Sequence, residues 1–384
     1  MNSDVRDSGL GTRDSGLGTR DSGSTARIYN FSSGPAVLPV PVLEEARRDL
    51  LGLPGVGMSV LEISHRSTAF DGILERAERD LRRLAGVPDD YAVLFLQGGA
   101  SLQFSMVPMN LLAPGGTADY VISGSWAEKA AKEARRVGTV HVAATSKPDG
   151  FARVPAQDDL RPTRGASYVH ITSNNTIEGT QWRNLPEVGD VPLVSDASSD
   201  ICSRPIDVAR HGLIYAGAQK NLGVSGLAVV VIRRDLVERS PVDLATMLSY
   251  KVHAESGSRY NTPPVFAIYV LGLVLRWLLD RGGLDAVARV NERKAAALYR
   301  EIDRTGFYRG TAQPDSRSLM NVTFRLPDED REARFVHEAT AAGLDGLAGH
   351  RSVGGIRASL YNAFPEEGVH ALVAFMQEFE RRAG

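Results

Sequence analysis

Short apolar runs recur through the first part of the chain, separated by stretches with helical periodicity. Tyr91–Leu96, Asp119–Ile122, Tyr168–Ile171, Pro192–Val194, Leu213–Ala216 and Leu227–Ile232 read as buried strands, since nearly every position is apolar. Ser101–Leu112 and Trp126–Val137 lie between them and read as amphipathic helices. Strands that alternate with helices imply a mostly parallel sheet covered on both faces. The expected class is therefore α/β.

After about Leu271 the pattern changes. Long helices are expected over Pro264–Asp280, Leu284–Asp303, Asp330–Ala342 and Glu366–Arg382, with few strands between them. Met320–Leu326 alternates like a half-buried strand, and Val369, Leu372, Val373, Met376 and Phe379 form one apolar stripe on the last helix. This predicts a large α/β domain over 41–270 and a smaller C-terminal α+β domain over 271–384. Residues 27–40, which lead into a helix over about Val42–Leu51, are expected to pack with the smaller one.

Residues 1–26 stand apart. Arg6–Thr12 repeats as Arg13–Thr19, and a third copy decays after Gly23. The tract is rich in Gly, Ser, Asp and Arg, cannot bury enough apolar area to order itself, and reads as a disordered tail. The charge balance is 44 Lys+Arg against 46 Asp+Glu. Near-neutrality argues against a protein built to hold nucleic acid or an anionic membrane. Val265–Leu275, the longest apolar run, is too short to span a bilayer, and the N-terminus carries no apolar leader. Cys202 is the single cysteine, which excludes an internal disulfide and a cysteine-based metal cluster. No metal is expected, and a cytoplasmic, reducing setting fits these counts.

Several strand ends carry residues suited to chemistry. In Tyr215-Ala-Gly-Ala-Gln-Lys220 a strand runs through small residues to a lysine. Desolvation there would lower its pKa and make it a nucleophilic amine; a solvated loop lysine is the plainer reading. Asp196 closes a buried strand 24 positions earlier. It serves either as a turn or cap residue, or as the carboxylate that holds a pyridinium proton. Gln97-Gly-Gly-Ala100-Ser101 joins a strand to a helix and could seat a phosphate on bare backbone N–H groups, or be a simple tight turn. Trp126 follows another strand, suited to stacking on a ring or to core packing. Thr176 sits in a polar loop, as a ring-hydroxyl partner or a turn residue. Two His-Arg pairs, His65-Arg66 and His350-Arg351, together with Arg357, offer guanidinium forks for anions or are surface charges.

Taken together, these stretches resemble the phosphoserine aminotransferases, a class-V branch of the fold-type-I pyridoxal-phosphate enzymes. The resemblance runs from about Ile28 to Gly384. It is carried by Asn30-Phe-Ser-Ser-Gly-Pro-Ala36, Glu62-Ile-Ser-His-Arg-Ser67, Tyr215-Ala-Gly-Ala-Gln-Lys-Asn221, Tyr260-Asn-Thr-Pro-Pro264 and Gly354-Gly-Ile-Arg-Ala-Ser359. It implies a mostly parallel seven-stranded sheet in the large domain and pyridoxal 5'-phosphate as cofactor. It further implies that Lys220 bonds the cofactor's aldehyde, Asp196 partners the pyridine nitrogen, Trp126 stacks on the ring and Thr176 bonds the 3-hydroxyl. Ala100, Ser101 and Gln219 would hold the phosphate, joined by Asn261 and Thr262 from a neighbouring subunit of a homodimer. His65, Arg66, His350, Arg351 and Arg357 would hold substrate anions, the first pair again donated across the dimer. Where some members carry Gly-Gly-Gly followed by Arg or Cys, this chain has Gly-Gly-Ala100-Ser101.

The implied reaction moves the amino group of L-glutamate to 3-phosphohydroxypyruvate, giving 2-oxoglutarate and O-phospho-L-serine by a ping-pong course, as in L-serine biosynthesis. 4-Phosphohydroxy-L-threonine, on the vitamin B6 route, carries similar charges. Competing readings are a cysteine desulfurase, a glyoxylate-using aminotransferase, a transaminase of specialised metabolism and a non-catalytic regulator. A desulfurase needs a mobile loop cysteine, whereas Cys202 lies six residues past Asp196, in or beside the sheet.

Overall fold

The computed structural model describes residues 27–383, so the repeat tail lies outside the described residues. A seven-stranded sheet forms the centre. Its spatial order is Tyr91–Gln97, Leu227–Arg233, Leu213–Gly217, Leu193–Asp196, Val169–Thr172, Thr117–Ile122 and Thr139–Thr145. Leu227–Arg233 runs antiparallel to both neighbours, and all other pairs are parallel. The expected mostly parallel α/β sheet is present, and each of the six expected runs overlaps one of its strands.

Side chains alternate across the Leu227–Arg233 strand. Val229 and Val231 join the core formed with the helices Val40–Asp49, Thr68–Ala85 and Val265–Asp280. Val230 and Ile232 join the opposite core, formed with Gly99–Leu111 and Ser125–Ala134. Burial on both faces is why these strands read as continuous apolar runs.

Two longer elements of the large domain are among those that escape the sequence reading. Thr139–Thr145 is an edge strand, largely exposed over its first half, so no unbroken apolar run marks it. Thr68–Ala85 is the other, an amphipathic helix that Ser67 caps by accepting from the Phe70 N–H at 3.3 Å and that Gly86 ends in the left-handed region.

A third core gathers residues from the C-terminal region: Leu298, Val322, Phe324, Phe335, Ile356, Leu372, Met376 and Phe379. Its sheet has the order Arg309–Gly310, Asn321–Arg325, Ile356–Ser359 and is antiparallel. Phe31 is fully buried in this core, and Tyr29–Asn30 pairs in parallel with Leu344–Asp345. Residues 29–31 thus pack on the C-terminal layer before the chain enters the large sheet.

Ile232 is fully buried on the strand second from one edge of the large sheet. Ile232→Ala should cost about 2–5 kcal/mol of stability. Urea denaturation monitored by far-UV circular dichroism would measure it, and a change below about 0.5 kcal/mol would contradict this packing.

Candidate active site

The carboxyl ends of the parallel strands converge on one edge of the large sheet, where ligands of open α/β sheets sit. A cavity of about 380 Å³ opens there. Ala100, Ser101, Trp126, Thr176, Asp196, Gln219, Lys220, His350 and Arg357 line it, so nine of the expected site residues meet in one place. His65, Arg66, Arg351, Asn261 and Thr262 do not line it. Asn261 and Thr262 lie beside its glycine turn, where Gln97 Nε2 donates to Asn261 Oδ1 and to the Thr262 carbonyl, each at 3.3 Å.

Lys220 follows the strand Leu213–Gly217 through Ala218 and Gln219, a path with no bulky side chain before the lysine. Its Nζ donates to Thr176 Oγ1 at 2.8 Å. Burial pushes the Lys220 amine down to about 8; the Asp196 carboxylate opposes that shift and the Arg357 guanidinium adds to it. An amine in this state has a substantial neutral fraction near pH 8, and the neutral form can attack a carbonyl.

Asp196 ends its own strand and accepts from the Ser198 N–H at 3.0 Å. Burial raises its pKa, an effect that hydrogen bonds from Ser198 and the nearby Lys220 charge reduce. Asp200, one turn further on, is also buried, and its carboxylate accepts from Ser173 Oγ and from Gln181 Nε2.

The helix Gly99–Leu111 begins at Gly98, which is left-handed at φ 87° and supplies no side-chain cap. A Cβ at Gly98 would lie 2.6 Å from Leu102 Cδ2, so glycine is required on both counts. The first turn also holds no acidic side chain. Its open N–H groups and positive dipole end form a seat for an anion at the cavity wall.

Three buried polar atoms of cavity-lining residues have no hydrogen-bond partner among the described residues: Thr172 Oγ1, Gln219 Oε1 and Arg357 Nε. Buried polar groups are normally satisfied, so this set calls for a polar occupant. An anion seat, a poised amine, a carboxylate and a half-buried indole around one cavity fit the expected cofactor.

The polar loop expected around Thr176 is instead a buried hairpin. Asn174–Asn175 pairs with Thr180–Gln181, and all of Thr172–Gln181 is buried. Its amides are satisfied internally: Asn174 Nδ2 donates to Ser199 Oγ and to Asn321 Oδ1, each at 2.7 Å. Sequence reasoning also missed Ser33 and Gly34, which line the cavity. A Cβ at Gly34, with φ 140°, would sit 3.5 Å from Lys220 Cγ, and Ala36 N donates to the Gln219 carbonyl at 2.8 Å. Tyr361 secures that segment by donating to the Ser33 carbonyl at 2.9 Å. The signal for Ser33 and Gly34 was the Asn30–Ala36 stretch, which carried no assigned role.

Cys202 is buried and its thiol is pushed up to about 12 by burial. It is neither exposed nor activated, which removes the basis for a cysteine-based reaction.

The sequence matches the family described as aminotransferase class-V over residues 28–372. The chain belongs to that family. It is 57% identical over 360 residues to the phosphoserine aminotransferase of Desulfosudis oleivorans, covering 93% of this chain and 99% of that protein. The solved phosphoserine aminotransferase from Bacillus circulans subsp. alkalophilus superposes with a TM-score of 0.92 at 50% identity, covering 93% of this chain and 99% of that one. A PLP-bound phosphoserine aminotransferase from Trichomonas vaginalis gives 0.88 at 39% identity, covering 91% of this chain and 100% of that one. Within the class, the chain is thus a member of the phosphoserine aminotransferase branch.

The electrostatics make opposite predictions for two variants of the cofactor-free protein. Asp196→Asn removes the charge that raises the Lys220 pKa and should move it below about 8, whereas Arg357→Gln removes a charge that lowers it and should move it up. Competitive acylation of Lys220 as a function of pH, followed by peptide mass spectrometry, reads both. Shifts in the same direction would contradict the arrangement.

Proposed function

We propose that this chain transfers the amino group of L-glutamate to 3-phosphohydroxypyruvate, giving 2-oxoglutarate and O-phospho-L-serine, with pyridoxal 5'-phosphate in the cavity at the sheet edge. The observation that carries the reading is Lys220. It is an amine lowered to about 8 at a strand end, facing a carboxylate strand end and a bare helix N-terminus around one cavity. The family and the relatives' names support the same activity.

Pyridoxal phosphate supplies an aldehyde that an amine can bond and a ring that accepts the electron pair left when a proton leaves a substrate's α-carbon. The chain's residues do the rest. The N–H groups at Ala100 and Ser101, with Gln219, would hold the phosphate. Trp126 would pack on the ring and Thr176 would bond its hydroxyl. Asp196 would keep a proton on the ring nitrogen, which its buried carboxylate can do only while ionised. Lys220 would be the base that takes the substrate's α-proton and the acid that gives it back. Thr176, bonded to Nζ, holds the amine near that path.

Arg357 and His350 line the cavity, and Arg357 Nε lacks a partner among the described residues, which suits a substrate carboxylate. Arg351 is exposed and stands one residue from His350. His65 and Arg66 lie outside the cavity, in a stretch that also exposes Met58 at 46% and Leu61 at 61%. That supports a homodimer in which the stretch crosses to the partner's site and, with Asn261 and Thr262, completes it. The division into 27–40, 41–270 and 271–384 follows the same reading, with the segment around Ser33 linking the smaller domain to Lys220.

Purified protein should be yellow, bleach with L-glutamate while releasing 2-oxoglutarate, and regain colour with 3-phosphohydroxypyruvate. Bleaching without regeneration by any phosphorylated 2-oxo acid would reject the substrate assignment. A hydrogen bond to a charged group contributes about 1.5–3 kcal/mol. Arg357→Ala should therefore lower kcat/KM about ten- to a hundredfold, at about 1.4 kcal/mol per factor of ten. Mixed dimers of Arg66→Ala with Lys220→Ala should regain activity that neither parent has. If mixed dimers form and stay inactive, the shared-site reading fails.

A further inference from the structure

Trp126 is the second residue of the helix Ser125–Ala134; it is partly buried and lines the cavity. The orientation of an indole there depends on how firmly the helix start is held. That start has no side-chain cap from the residue before it. The N-cap is Gly124, which has no side chain to accept from the first-turn N–H groups.

The missing acceptor comes from a different part of the chain. Glu178 Oε1 accepts from the Ser125 N–H at 2.8 Å and from Ser125 Oγ at 2.6 Å. The fit is close: a Cβ at Gly124 would lie 2.7 Å from Glu178 Oε2 and 2.6 Å from Asn175 Oδ1. Glycine at 124 therefore makes room for the borrowed cap.

Glu178 is itself fixed. Its carbonyl accepts from Thr323 Oγ1 at 3.1 Å, on a strand of the C-terminal sheet, and the Gly179 N–H donates to the Asn175 carbonyl at 2.8 Å. It lies two residues from Thr176, the partner of Lys220 Nζ. One buried turn thus touches the reactive amine through Thr176 and the indole's helix through Glu178. Glu178 makes no salt bridge among the described residues, and its Oε2 has no partner there, so ion pairing with a neighbour does not explain its burial.

We propose that Glu178 is a positioning residue for cofactor binding: it caps the Ser125–Ala134 helix across the fold and so fixes the Trp126 indole in register with Thr176 and Lys220. This rests on the proposed cofactor site. The role belongs to the carboxyl's reach, not to its charge. Two substitutions separate these properties. Glu178→Gln keeps the Oε1 acceptor and removes the charge, whereas Glu178→Asp keeps the charge and withdraws the acceptor by one methylene.

The test measures the dissociation constant for pyridoxal phosphate by quenching of tryptophan fluorescence, and the visible circular dichroism of the bound cofactor, which reports the asymmetry of its surroundings. Glu178→Asp should weaken binding about tenfold, a change equivalent to about 1.4 kcal/mol, and shrink the dichroic band. Glu178→Gln should stay within about twofold of the wild type. Repeated in a Trp126→Ala background, Glu178→Asp should add less than about twofold, because residues that act as one unit are non-additive. The inference is overturned if Glu178→Asp binds like the wild type, if Glu178→Gln is as weak as Glu178→Asp, or if the loss is undiminished without Trp126. Failure of the wild type to bind pyridoxal phosphate would overturn the cofactor reading itself, and is seen before any variant is compared.

Discussion

Everything at the sheet edge depends on keeping one amine out of water. Lys220 Nζ gives up solvation and keeps a single neutral hydrogen bond, to Thr176, among its described partners. Desolvation favours the uncharged form and would by itself drive the pKa far down. The Asp196 carboxylate pulls it back, and Arg357 pushes against that pull. A value of about 8 is the balance of these opposing effects, so the amine can act both as nucleophile and as proton carrier near neutral pH. Each contributor stands on a different element: Asp196 at the end of one parallel strand, Lys220 beyond the end of the next, and Arg357 on the C-terminal sheet. The seven-stranded sheet and its C-terminal partner layer are therefore part of the acid–base chemistry, because they set the distances between these charges.

The buried hairpin Thr172–Gln181 joins those layers. It leaves the large sheet, reaches Asn321 and Thr323 of the smaller one, and places Thr176 against Lys220. A stretch this polar stays buried only because its side chains satisfy each other: Asn174 with Ser199 and Asn321, Asn175 with Thr180 and Ser123, and Gln181 with Asp200. Such a network is costly to disturb, since a lost partner leaves a polar group unsatisfied in a low-dielectric interior. That rigidity suits a site where an amine must stay within reach of a reacting atom.

Much of this was legible in the sequence, for physical reasons. Strands buried on both faces leave apolar runs, and six of the seven central strands were found that way. The edge strand Thr139–Thr145 was not, because exposure erases the run. Lys220, Asp196 and the Gly98–Gly99 turn were visible because strand ends and glycines mark where backbone and ligand meet. The burial of Thr172–Gln181 was invisible, since its composition is that of a surface loop and only tertiary partners reveal otherwise. Glu178 was missed for the same reason: a helix cap is sought in the residues just before the helix, and this one comes from 53 residues further along the chain. Ser33 and Gly34 needed the pairing of Tyr29–Asn30 with Leu344–Asp345 to be placed at all.

The central claim is that the lysine poised at this sheet edge is the one that carries the cofactor. Borohydride reduction of the pyridoxal-phosphate-loaded protein, followed by peptide mapping, tests it most directly. The account predicts a single fixed cofactor per chain, on the peptide containing Lys220. Fixation on another lysine, or scattered over several while Lys220 stays unmodified, would contradict it.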